Sequence, residues 1–183
     1  MLDTSVDNAV AHVVLSRPEA RNALNDDFWE AFPALIRAWD EDPAVRVIVI
    51  SGAGPHFCAG IDLSYLSGLV PRASDPARGN EQLRRRIHDL QAAFDLLNTS
   101  RKPVLAVVHG ACMGAGLDLV AAADMRYCAA DAFFQIHEVN IGMVADLGSL
   151  QRLPRQLPDG VVRELAFSGR RMTADEALRL GFV

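Results

Sequence analysis

The chain has no basic block, no closely spaced cysteine pair and no long apolar run, and each absence closes off a class of function. Lys102 is the one lysine among 18 basic side chains, and 23 acidic side chains bring the formal charge to −5. The charges are spread along the chain without a basic block, which argues against nucleic acid and anionic membrane surfaces as partners. Cys58, Cys112 and Cys128 stand far apart, with no CxxC pair and no histidine spacing suited to zinc, so no metal is expected. Such cysteines suit a reducing compartment. The N-terminus has no basic head followed by an apolar stretch, and no window reaches the roughly 20 apolar residues of a bilayer-spanning helix. These absences lead to the expectation of a cytoplasmic protein. There is no internal repeat, no GxSxG nucleophile elbow and no glycine loop ending in Lys-Ser/Thr to cradle phosphate.

What is present is a chain of 183 residues, half of them hydrophobic, long enough to bury a core as one domain over residues 1–183. Residues 9–16 (AVAHVVLS) alternate and are rich in β-branched side chains, predicting a strand that Arg17-Pro18 closes. Asn25, followed by Asp26 and Asp27, offers an N-cap and first-turn acids for a helix to about Trp39. Its stripe of Phe28, Phe32, Leu35, Ile36 and Trp39 has helical spacing and reads as core. Residues 45–50 (VRVIVI) and 103–108 (PVLAVV) predict strands covered on both faces. A polar surface loop is expected over 67–80, then a helix over 81–97 with Leu83, Ile87, Leu90, Phe94 and Leu97 on one side. Residues 117–123 predict a helix apolar nearly all round, which belongs inside the molecule. Short strands follow at 125–128 and 132–136, then helices at 149–153 and 160–167. A capping box, Thr173 to Glu176, opens a last helix through Leu180. Strands alternating with helices make this an α/β protein whose strand-to-helix turns carry function.

Two of those turns are glycine-bearing, HFCAGIDL and GACMGAGLDL. The first can present the backbone N–H of Ile61 and the second that of Ala115 or Gly116, and two donors aimed at one oxygen make an oxyanion hole. Both also fit plain tight turns. Three acids, Asp118, Glu138 and Asp146, sit among residues that read as buried, where a carboxyl shifts its pKa or finds a role. Each has an ordinary explanation as well: Asp118 as a helix-dipole partner, Glu138 as a strand-end acid, Asp146 as an N-cap. Asp124 reads as a turn or ion-pair residue beside Arg126, and His109 and His137 as structural.

The segments LSRPEARNALN, FCAGIDL, HGACMGAGLDLVAAADMRYC and FFQIHEVNIG followed by LGSLQRLPR resemble, together and over nearly the whole chain, the enoyl-CoA hydratase/isomerase (crotonase) superfamily. The resemblance implies a crotonase-like spiral of ββα units, ending here before the C-terminal helices that build trimers or pairs of trimers. It implies an acyl-CoA thioester substrate, no separate cofactor, and an oxyanion hole from Ile61 and Ala115, the latter in place of the more usual glycine. Ala20, Arg21, Gly60, Asp62, Leu63, Ser64 and Gly116 would line the path of acyl chain and CoA.

Hydratases of the superfamily carry a glutamate at the position of Asp118, a second at Glu138, and a glycine-rich segment where this chain has Asp146. An aspartate in the first place and a third acid in the last are similar to the isomerases that convert 3,5-dienoyl-CoA to 2,4-dienoyl-CoA in unsaturated fatty acid degradation. The chemistry of that conversion takes a proton from C2 and adds one at C6, so two carboxyl groups must stand apart along the acyl chain. The expected pair is Glu138 and Asp146, either of which can serve C2, with Asp118 holding water or polarising the pocket. The alternatives are an enoyl-CoA hydratase or another acyl-CoA isomerase, and a non-catalytic short form.

Overall fold

The computed structural model describes residues 1–69 and 74–183. It opens on a hairpin of β1 (Leu2–Asp7) and β2 (Val10–Leu15), closed by Asn8 and Ala9, both at positive φ. Two consecutive left-handed residues match the twist of the flanking strands, so Ala9, expected in the strand, is instead turn. β1 is a polar edge strand almost wholly exposed, which is why its composition gave no strand signal.

Asn25 caps α1 (Asp26–Glu41), its side-chain oxygen accepting from the Phe28 N–H. The helix buries the expected stripe at Phe28, Phe32, Ile36 and Trp39, and adds Trp29. β3 (Val47–Gly52) leads through the first glycine turn to α2 (Leu63–Leu69) and α3 (Pro76–Thr99), the latter capped by Asp75. The polar loop expected over 67–80 is therefore largely helix: 67–69 finish α2, Pro76 starts α3, and 70–73 lie outside the described residues. Proline suits a first helical turn, where its missing N–H costs nothing.

β4 (Val104–Val108), β5 (Ala111–Met113) and α4 (Ala115–Ala122) follow, then β6 (Met125–Cys128) and β7 (Phe133–Gln135). α4 is buried on every side, as its composition requires. A 3₁₀ turn at Glu138–Ile141 precedes α5 (Ser149–Arg152), α6 (Asp159–Ser168), β8 (Met172–Thr173) and α7 (Ala174–Arg179). Thr173 caps α7 by accepting from the Glu176 N–H.

The large sheet runs β1-β2-β3-β4-β6, parallel after its first pair, and the small sheet runs β5-β7-β8. A bridge between Cys58 and Cys112 extends the small sheet toward the first turn. The chain thus spirals, each circuit laying one strand in the large sheet, a shorter strand or bridge in the small one, and then a helix. Ala11, Val13, Leu15, Ile48, Ile50, Val104, Ala106 and Val108 form the buried face of the large sheet. The opposite face is only half covered, with Val107 and Tyr127 exposed, so β3 and β4 alternate rather than being sheathed on both sides.

An aromatic cluster joins α1 to α3. Phe28 stacks on Phe32 at 4.7 Å between ring centroids, and Phe94 lies 5.3 Å from Trp29. Phe94 is fully buried. Phe94→Ala is expected to lower stability by about 3–5 kcal/mol, through lost transfer energy and the cavity left behind. Urea denaturation checks it, with a shifted midpoint at an unchanged slope.

Candidate active site

The site is built where the two glycine turns meet residues 21–24. Arg21 and Asn22 both hold positive φ, and the fully buried Asn22 side chain is hydrogen-bonded through both its oxygen and its nitrogen. Its oxygen accepts from the Arg17 N–H, and its nitrogen donates to the carbonyls of Ala53, His56 and Phe57 at 2.8, 2.8 and 3.1 Å. Asparagine is among the few side chains that tolerate left-handed backbone. This clamp holds 21–24 as a template beside the first turn: the Ala59 N–H donates to the Arg21 carbonyl, the Leu24 N–H to the Gly60 carbonyl, and the Asp62 N–H to the Leu24 carbonyl. The Ile61 N–H, between those paired groups, donates to no protein acceptor among the described residues.

The second turn repeats the arrangement. The Met113 N–H donates to Cys58 and that of Gly114 to Gln135, while Leu117 and Asp118 start α4 by donating to the Gly114 carbonyl. The Ala115 N–H has no protein acceptor among the described residues. Gly60, at φ +101°, lets the turns approach: a Cβ there would lie 3.1 Å from the Met113 carbonyl and 3.6 Å from the Ala115 nitrogen. A Cβ on Gly114 would lie 3.2 Å from Glu138 Oε1. Two unused donors and a carboxyl are thereby brought to one place.

That place opens into a cavity of about 620 Å³. Of the residues named from sequence, Ala20, Arg21, Gly60, Ile61, Asp62, Leu63, Ala115, Glu138 and Asp146 line it. Three do not. The Ser64 hydroxyl and N–H instead bind Asp62 Oδ1 at the start of α2, where Arg17 holds the other Asp62 oxygen at 2.6 Å. Those bonds hold the Asp62 carboxyl down at about 2. Gly116 packs behind the wall, where a Cβ would come within 2.8 Å of Cys58. Asp118 is fully buried behind Glu138, one oxygen accepting from the Ser149 N–H and the other without a partner among the described residues. Leu66 and Leu69 of α2, and Leu83, Ile87 and Leu90 of α3, supply an apolar wall, joined by Ile141, Met143 and Leu147. α2 had no sequence signal of its own, and the α3 stripe read only as a generic core face.

The acids respond to this environment. Burial raises Glu138, against the backbone N–H groups of Glu138 and His137, and the nearby Asp146 charge raises it further. Burial likewise raises Asp146. Burial, then the charge of Glu138, pushes Asp118 up to about 7 against the Ser149 bonds and the Arg152 charge. Like-charged groups that raise one another do not all ionise together, and Asp118 keeps its proton up to near neutrality. His137 lines the cavity beside Asn140, whereas His109 donates to the Gly54 carbonyl and braces the first turn. Asp124 is a turn residue, accepting from the Val104 N–H. Among the described residues no cluster of three or more His, Cys, Asp or Glu could hold a metal ion.

The family model described as enoyl-CoA hydratase/isomerase matches residues 5–183. The chain belongs to the enoyl-CoA hydratase/isomerase family. A relative from Arabidopsis thaliana, named peroxisomal Delta(3,5)-Delta(2,4)-dienoyl-CoA isomerase, is 48% identical over 98% of this chain and 66% of its own length. The human mitochondrial protein of the same name is also 48% identical, over 98% of this chain and 56% of its own. An enoyl-CoA hydratase from Polaromonas sp. JS666 superposes with a TM-score of 0.88 at 33% identity, covering all of this chain and 68% of that one. The chain thus spans between about half and two thirds of the curated family members it matches. The fold is the crotonase spiral of ββα units expected for the family. The expectation of a cytoplasmic protein is overturned by the organellar names of these relatives. Acidity, separated cysteines and the lack of a helix long and apolar enough to cross a membrane are traits that organelle matrices share with the cytoplasm, so they do not tell the compartments apart.

Two outcomes follow from this geometry. Asn22→Ala would leave an N–H and three carbonyls short of a partner, and is expected to cost at least about 2 kcal/mol by denaturant titration. The Asp118 carboxyl, raised from 3.8 to about 7, keeps in the folded protein a proton that the unfolded chain has released above about pH 4. Stability should therefore fall as pH rises from about 4 through 7. Urea midpoints across that range should show a shallower slope for Asp118→Asn than for the unchanged chain.

Proposed function

We propose that this chain converts 3,5-dienoyl-CoA to 2,4-dienoyl-CoA by moving protons between carboxyl groups and the acyl chain. The observation that carries the reading is that Asp146 and Glu138 line one apolar cavity with the unused N–H groups of Ile61 and Ala115. The names of the curated relatives support it.

In this reading the thioester oxygen accepts hydrogen bonds from Ile61 and Ala115. As one carboxylate takes the C2 proton, negative charge grows on that oxygen and spreads over the dienolate, and the two donors stabilise it where it accumulates. A single donor of this kind is worth about 2.7–4 kcal/mol of barrier. The electron pair then shifts along the chain, C6 takes a proton from the other carboxyl, and the double bonds stand conjugated with the thioester. One acid gains a proton as the other loses one, so the pair must begin in opposite states. Burial and mutual repulsion favour that arrangement. Asp118, behind the wall, does not touch the substrate: burial and the Glu138 charge leave it holding its own proton, so the charge that raises Glu138 is that of Asp146. The wall of Leu66, Leu69, Leu83 and Ile87 receives the hydrocarbon tail. The conversion relocates protons without net redox change, so the CoA of the substrate is the one carrier group it needs.

The test presents a 3,5-dienoyl-CoA and follows the ultraviolet absorbance of the conjugated product. Glu138→Gln and Asp146→Asn, made singly, are each expected to lower kcat by about a hundred- to ten-thousandfold, with KM changed little. Full activity in both variants overturns the assignment. Water addition to a 2-enoyl-CoA without diene conversion replaces it with a hydratase, and failure to bind any acyl-CoA replaces it with a non-catalytic form.

A further inference from the structure

The Asp146 carboxyl makes no hydrogen bond to another side chain among the described residues, so its place in the cavity is set by its backbone. That backbone is held from α3. Gln91, one turn beyond the cavity-lining Ile87, donates its side-chain N–H to the Asp146 carbonyl at 2.7 Å. Further along, Asn98 and Asp95 hold Arg152: its Nε donates to Asn98 Oδ1 at 2.7 Å, and its Nη2 pairs with the Asp95 carboxylate. The remaining arm, Nη1, donates to the Leu147 carbonyl at 3.0 Å. Gly148 follows at φ +127°, and a Cβ there would lie 1.6 Å from Nη1, so the chain wraps the guanidinium as only glycine can. The Ser149 N–H then closes on Asp118. Every residue from Asp146 to Ser149 is thus fixed by a side chain reaching in from elsewhere or by a contact only glycine permits.

We propose that Gln91, backed by Arg152, is a positioning residue for Asp146, holding the Asp146 carbonyl so that the carboxyl stands over the acyl chain. This rests on the isomerase reading for its kinetic consequence. Gln91 sits on the outer half of a long helix whose packing is carried by Leu90, Ala93, Phe94 and Leu97, so its side chain can change without touching the core. Gln91→Met keeps the length and removes the donor. An aspartate displaced by an ångström loses much of its effectiveness at proton transfer while the thioester site and apolar wall still bind substrate.

The full chain carrying Gln91→Met is expected to lose about ten- to a hundredfold in kcat with KM within about twofold. Combined with Asp146→Asn it should be no slower than Asp146→Asn alone, because a residue acting through Asp146 has nothing left to position. Combined with Glu138→Gln it should slow that variant further. Wild-type kcat in Gln91→Met, or a full multiplicative loss on top of Asp146→Asn, overturns the proposal. A second measurement needs no turnover: hydrogen exchange at the Ser149 amide should quicken by about five- to tenfold in Gln91→Met as the segment opens more often. If the unchanged chain does not isomerise dienes, the proposed function falls, and the positioning role is then decided by that exchange rate, unchanged exchange overturning it.

Discussion

Asn22 holds together stretches of chain that the topology alone would leave apart. Its four hydrogen bonds tie the exit of β2 to the loop that follows β3, and they do so from a left-handed conformation that most side chains refuse. From that fixed point the template at residues 21–24 takes up the Ala59 N–H, the Gly60 carbonyl and the Asp62 N–H, leaving the Ile61 N–H to face the cavity. An unpaired backbone donor is costly to bury, and chains normally satisfy it locally. Here the neighbouring groups are already committed, so the donor is free by exclusion. The second turn reaches the same result through the bridge at Cys58 and Cys112, which brings Ala115 beside Gly60.

The acids obey the complementary constraint. Placing carboxyl groups against leucine and isoleucine walls raises their pKa, and placing them near each other raises it again. Three graded environments result. Asp146 is the least enclosed, Glu138 is deeper, and Asp118 is sealed behind it, with one oxygen each of Glu138 and Asp118 buried without a partner among the described residues. A set graded in this way holds one acid protonated beside one ionised more readily than three equivalent acids would. The gradient comes from where α4 and the 3₁₀ turn after β7 put the carboxyl groups, with Arg152, the cation whose charge reaches Asp118, already committed to Leu147, Asn98 and Asp95.

Elements whose hydrophobic period was strong were legible in the sequence: α1 with its Asn25 cap, β3, β4 and the all-apolar α4. β1 was not, because an exposed edge strand has no apolar face to show. α2 and the first turn of α3 were lost in a stretch dense in glycine, proline and serine, where a capped helix start and a loop have nearly the same composition. Among site residues, the glycine turns and the acids could be named from spacing and resemblance. Whether a residue lines the cavity or stands behind its wall could not. Ser64 follows Asp62 closely but is taken up by the Asp62 carboxylate at the start of α2, Gly116 is consumed by contact with Cys58, and Asp118 is fully buried outside the cavity lining. Asn22 and Gln91 act by binding backbone at distances of 31 and 55 residues along the chain, a relation that no local pattern records.

α3 shows why these pieces form one device. Its inner face contributes Phe94 and Leu97 to the core, the flank nearer its start contributes Leu83 and Ile87 to the cavity wall, and Gln91, Asp95 and Asn98 brace the segment that carries Asp146. A helix bends little over such a length, so the depth of the acyl wall and the position of the carboxyl are set by the same rigid body. An apolar tail seated against Leu83 and Ile87, as the proposed function has it, would thereby be placed in register with Asp146. Under the proposed isomerase reading, proton transfer at a carbon remote from the thioester demands that register, because the Ile61 and Ala115 donors would fix only one end of the substrate.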